Sequence, residues 1–223
     1  MTLTKLLLAF VLLFSLARAG DAANLEFIGF SKDGRYLAFE QFGMTDGIGY
    51  PYAKVQVVDV AKNTLLAQTE KMIEVENSTT AQARTAIKGT VQGLLTRYKI
   101  VRGNQGKFMG IAPTAPNISG QRSEFIYAGR THTLELNSSF EKQDAKTCPD
   151  EIATRLELSL SVSGKTRVLQ KDGLTLPKSR ACALSYEMRS AQLLGNTLAV
   201  FVAVHLPGFE GADIRWMVVT TRL

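Results

Sequence analysis

The sequence predicts an α+β domain of mainly antiparallel sheet, sandwich or barrel-like, with one main amphipathic helix. Three observations carry this. Strict alternation runs through "TRLELSLSV" (154–162), with Leu156, Leu158, Leu160 and Val162 on one face and Glu157, Ser159 and Ser161 on the other. A three-to-four-residue spacing links Ala83, Ile87, Val91, Leu94 and Tyr98, as on one side of a helix. Glycine with Asp, Asn or Ser punctuates the strand-like runs with turn chemistry.

The chain opens with Lys5, an apolar run from Leu6 to Leu16 and the small-x-small triplet Ala17-Arg18-Ala19. This order of charge, apolar stretch and cleavage site is that of a secretory signal peptide, expected over residues 1–19. The run is too short for the roughly 20 residues that span a bilayer, and no later stretch approaches that length. Residues 20–223 are therefore expected to form a single mainly-β secreted domain, periplasmic or released, without a transmembrane segment in the mature chain. Cleavage removes Lys5 and Arg18, so the net charge of +6 falls to +4. The remaining cations are dispersed, which does not suit a nucleic-acid track. Their densest group, "RYKIVRGNQGK" (97–107), could meet an anionic envelope polymer.

In "NLEFIGFSKDGRYLAFEQFG" (24–43) two strand-like runs flank Ser31-Lys32-Asp33-Gly34, with glycine where φ must be positive. Leu37 and Phe39 then face one side of a hairpin, and Tyr36, Ala38 and Glu40 the other. This hairpin resembles the strand pair of TolB-like propeller blades, with Lys32 where proline is usual, and the alternative is a small β-propeller-like fold. Against it, a blade should recur every 40 residues or so, and this pattern does not. Its only echo is "NTLAVFVAVHLPGFEGADIRWMVVTTRL" (196–223), which repeats the order strand, Pro/Gly/aromatic loop, strand. The two strand pairs are expected side by side in one sheet.

Between them, Ser78 or Thr79 is expected to cap the helix. Gly89 and Gly93 cost helix stability, which suggests a backbone passing close by. Residues 112–124, "APTAPNISGQRSE", read as a linker, and residues 130–190 as strands of a sheet with one wet face. Two cysteines, Cys148 and Cys182, are expected to form a disulfide in an exported chain.

Chemistry-bearing motifs are sparse. His132 shares the face of Leu134 and Leu136, and His205 closes "LAVFVAVH"; both read as structural. No nucleophile elbow, zinc-protease helix, phosphate loop or dinucleotide fingerprint is present, so no cofactor, metal or catalytic residue is assigned. Glu40 sits within apolar strands and needs a cationic partner, for which Arg215 is a candidate. The loops 44–53 and 205–216 concentrate aromatic residues with glycine and proline. Tyr50, Tyr52, Phe209 and Trp216 are the candidate ligand-binding residues if the loops meet at one rim; alternatively, the rings cover the end of the core.

Three stretches, "GFSKDGRYLAFEQFGMTDGIGYPYAKVQVVDV" (29–60), "LPKSRACALSYEM" (176–188) and "LPGFEGADIRWMVVT" (206–220), are similar to a bacterial family of predicted secreted proteins of unknown function. The resemblance implies export and an undivided domain, and carries no activity. The expected role is a non-catalytic binding or envelope accessory module for an envelope protein or ligand. Alternatives are a hydrolase with a spatially assembled site, or a structural module of a secreted assembly.

Overall fold

The computed structural model describes residues 20–112, 120–143, 148 and 152–223, so the expected signal peptide lies outside the described chain. In order, the elements are β1 (Asn24–Phe30), β2 (Tyr36–Met44), β3 (Pro51–Asp59), β4 (Thr64–Met72), α1 (Thr80–Arg97), β5 (Lys107–Gly110), β6 (Gln121–Tyr127), β7 (Arg130–Lys142), β8 (Ile152–Val162), β9 (Lys165–Lys171), β10 (Ser185–Leu194), β11 (Thr197–Pro207) and β12 (Ala212–Arg222). They form three four-stranded antiparallel sheets, none closed into a barrel. Sheet one has the order β1-β2-β3-β4, sheet two β12-β11-β10-β5, and sheet three β6-β7-β8-β9.

Side-chain parity stacks these sheets. On sheet one, Ala38, Ala53, Val55 and Val57 pack under Ala83, Ile87, Val91 and Leu95 of α1. The opposite parity, Leu37, Phe39 and Val58, packs with Ala199 and Phe201 of sheet two. Leu198, Val200 and Val202 turn the other way, onto Leu134, Leu136, Leu156 and Leu158 of sheet three. The order of layers is thus helix, sheet one, sheet two, sheet three. β11 is buried on both faces, which is why "LAVFVAV" is an unbroken apolar run.

This stacking corrects the expectation that the two similar strand pairs share a sheet. β2–β3 and β11–β12 lie in different sheets that face one another, because a strand apolar on both sides needs a layer on each. The hairpin at 30–43 forms, with Leu37 and Phe39 on one face and Ala38 on the other, inside this layered stack. A propeller arrangement has no support in it.

The helix is capped by Thr79, whose hydroxyl accepts from Gln82 N while the Gln82 side chain accepts from Thr79 N. Its buried stripe ends at Leu95, with Leu94 and Tyr98 packed beside it. Gly89 and Gly93 face open space, contrary to the close backbone approach expected there. Of the expected linker, residues 113–119 lie outside the described chain, and its end is strand. Gln121 is buried in β6, donating to Met188 O (2.9 Å) and accepting from Met188 N (2.6 Å). β10 leaves the 130–190 stretch to join sheet two.

Candidate functional site

Where sheets one and two splay apart, a cleft of about 540 Å³ opens between them. Strand parity decides its lining. Continuing the face of Leu37 and Phe39 along β2 brings Gln41 inward, β3 adds Tyr52, Lys54 and Gln56 on the same side, and β12 adds Trp216 from the facing sheet; Arg215, the neighbour of Trp216 and of opposite parity, also lines the cleft. Within the cleft Gln41 ties the sheets together. Its amide nitrogen donates to Gln56 Oε1 (2.8 Å) and Trp216 O (3.2 Å), and its oxygen accepts from Trp216 N (3.1 Å). The indole nitrogen of Trp216 donates to Ala23 O at 2.7 Å, fixing the ring.

A buried polar cluster anchors one end. Tyr52 donates to Asp21 Oδ1 (3.3 Å), and Arg215 pairs with Asp21 (2.7 Å) and Asp213 (3.2 Å) while its guanidinium lies 5.1 Å from the Tyr52 ring centre. Burial pushes the Tyr52 phenol up, against the opposing pull of Arg215, so it remains a donor at neutral pH. Burial likewise raises the Asp21 carboxyl more than Arg215 and Tyr52 lower it. Arg180, on a short 3-10 turn, lines the opposite part of the cleft; it is buried against Asp172 and donates to Tyr186 Oη at 3.3 Å.

The two aromatic loops meet at the rim above Asp21 and Arg215. Asp46 Oδ2 accepts from the backbone N–H groups of Phe209 (2.6 Å) and Glu210 (3.0 Å), and the Phe209 ring lies over Gly47. Of the four candidate residues, Tyr52 and Trp216 line the cleft. Phe209 stands on the rim, 83% exposed, and Tyr50 closes the 45–50 turn through its backbone bonds to Thr45. Gln41, Gln56, Lys54 and Arg180 were not anticipated. The available signal was Gln41: alternation assigns this polar residue to the core face of its hairpin.

Glu40 faces the helix layer, and its partner is Arg84 of α1 (2.9 and 2.8 Å), which also contacts Glu26. Arg215 is excluded as its partner because it belongs to the layer on the other side of sheet one. His132 is buried, stacked on Phe125 with ring centres 5.2 Å apart. Ser185 and His205 are register partners on sheet two, and Glu187 Oε2 lies 2.8 Å from Arg189 and 3.7 Å from His205 Nε2. Ser185, Glu187 and His205 are buried and none lines the cleft, whose lining among the described residues has no histidine or cysteine. The arrangement there suits hydrogen bonding and ring stacking. Among the described residues, no group of three or more His, Cys, Asp or Glu is placed to hold a metal ion. Cys148 and Cys182 lie 2.7 Å apart, outside the roughly 2.05 Å of a formed bond, so the expected disulfide is not confirmed.

The model of a family described as predicted secreted protein (DUF2259) matches residues 38–222, and the chain belongs to that family. No curated protein matches it. Among the described residues no helix is long and apolar enough to cross a membrane.

Proposed function

We propose that this member of a secreted family is a non-catalytic binding or accessory module of the bacterial envelope, and that its ligand enters the cleft between sheets one and two. The observation that carries this reading is that Tyr52 and Trp216, from opposite sheets, line one cleft together with Gln41, Gln56, Lys54 and Arg215. Rings set among amide and guanidinium donors suit a polar, ring-bearing ligand, stacked by its faces and oriented by hydrogen bonds. Phe209, exposed on the loop above, offers a further ring at the rim. Export supplies the oxidising compartment in which Cys148 and Cys182, already adjacent, close to a disulfide.

Trp216 is the single tryptophan of the chain, so its emission reports occupancy of the cleft directly. Soluble oligosaccharides, neutral and anionic, are titrated against the mature protein while that emission is followed. The expected result is a saturable change for at least one probe, weakened by Lys54→Glu; because that substitution sets a carboxylate against Glu70, the present partner of Lys54 at 3.2 Å, the urea midpoint of the variant is measured alongside as the control for folding. No response of wild type to any probe, or a response unaltered by Lys54→Glu, overturns the assignment of the cleft.

A further inference from the structure

We propose that a second pocket, between the β1–β2 turn and the C-terminal end of α1, binds a small amphiphilic anion: an alkyl or aryl body carrying a phosphate, sulfate, sulfonate or carboxylate group. The pocket has a volume of about 580 Å³, within the roughly 300–1,000 Å³ of small-molecule sites. It lies on the helix side of sheet one, away from the inter-sheet cleft, so this inference does not rest on the reading above.

Its walls are apolar and aromatic. Leu95, Ile100 and Val101 line it with Tyr36 and Tyr98, whose rings meet edge to face at 5.3 Å. Its charged groups are cationic in excess. Lys32, Lys99 and Arg102 line the pocket, and Arg35 and Arg97 lie 5.0 and 5.7 Å from the centres of the Tyr36 and Tyr98 rings. The one lining carboxylate, Asp33, is occupied by its own turn, accepting from Ser31 Oγ (2.6 Å) and Arg35 N (3.0 Å). A bare inorganic anion would leave the apolar wall uncovered, and a neutral apolar ligand would make no use of the three exposed cations beside it. An amphiphilic anion satisfies both.

Helix capping alone does not account for these cations. Arg97, in the last turn of α1, complements the helix dipole. Lys32, however, comes from the hairpin, and Lys99 and Arg102 from the segment beyond the helix. Lys99 is held at φ +54°, a conformation that glycine or asparagine adopts at lower cost at a helix end. The backbone cost of a lysine there is one that contact of its ammonium with a bound anion would offset. The wall is also fixed in place. Val101 N donates to Phe30 O (3.1 Å), Gly103 N to Ile28 O (3.0 Å), and Asn104 O accepts from Phe30 N (2.8 Å), stringing residues 101–104 along the edge of β1.

The test titrates octyl phosphate, with octyl glucoside as the neutral analogue, into the mature protein by calorimetry. Octyl phosphate is expected to bind saturably, more weakly as salt rises, and octyl glucoside not to bind. Arg102→Glu and Lys99→Gly should each weaken octyl phosphate binding about tenfold or more. Lys99→Gly also relaxes the backbone, so its Tm should hold or rise while affinity falls, which separates lost charge from lost fold. Co-sedimentation with phosphatidylcholine vesicles that contain phosphatidylglycerol, and not with those that lack it, identifies a lipid headgroup as the source. Binding of octyl phosphate without co-sedimentation identifies a free amphiphile, and both results support the shared chemistry. Failure of octyl phosphate to bind, equal binding of octyl glucoside, or affinity unmoved by both substitutions overturns the proposal.

Discussion

Replacing Gly29 by alanine sets one methyl group against the edge of sheet one. Gly29 sits at a bulge in β1 with φ +147°, and a Cβ built there overlaps the carbonyl oxygen of Val101 and stands 3.3 Å from Asn104 N. Both neighbours are backbone, so no rotamer change relieves the overlap. Either β1 shifts against β2, or residues 101–104 move outward. Outward movement of about 1 Å takes three hydrogen bonds, now 2.8, 3.0 and 3.1 Å long, beyond useful length. Backbone strain of about 1–3 kcal/mol and about 1 kcal/mol for each bond sum, with partial relaxation, to a loss of about 3–5 kcal/mol. Urea unfolding measures it as a fall in midpoint at constant slope. The control lies within the same protein. Gly89→Ala and Gly93→Ala, where an added Cβ meets nothing within 4 Å, should each stabilise by about 0.8–1 kcal/mol through helix propensity alone. A loss below about 1 kcal/mol for Gly29→Ala would refute the close-approach argument.

Glu40→Ala should cost about 1–3 kcal/mol, less than the 3–5 typical of breaking a fully buried pair, because the Arg84 side chain is 35% exposed and keeps Glu26; a urea midpoint indistinguishable from wild type would contradict the ion-pair account. Asp21 gives a pH test. Its folded pKa is raised by burial, so its contribution to stability is present below the unfolded value of about 3.9 and is lost as pH rises through the folded value. Wild type should therefore lose stability relative to Asp21→Asn as pH rises above about 4, and the opposite trend would mean that the Arg215 pair outweighs desolvation. Protein recovered from the periplasm should be lighter by two hydrogens than its reduced form in intact mass, and Cys148→Ser should cost about 3–4 kcal/mol for a loop of about 35 residues. Free thiols in that material would remove the cross-link from the picture.

The two faces of the 30–43 hairpin, the helix with its cap, and the leucine face of β8 were legible because each depends on a local period: two residues for a strand, three to four for a helix. The family resemblance likewise pointed to export. The identity of Glu40's partner was not legible, since alternation says which face a side chain takes and nothing about the layer that covers it. Arg84 from the helix meets it, and Arg215 lies behind the sheet. For the same reason the similar strand pairs 36–59 and 197–222 looked like sheet neighbours and prove to be facing layers.

By itself, the sequence determined the alternating faces, the capped helix and an excess of cations around residues 97–107. Only the tertiary structure decided that Tyr52 and Trp216 meet in one cleft, that Lys32 joins Lys99 and Arg102 across a pocket, and that β11 lies between two sheets. The physical reason is one of range. Periodicity and turn chemistry act over a few bonds of chain, whereas the stacking of sheets is fixed by apolar faces far apart in sequence that must leave water together.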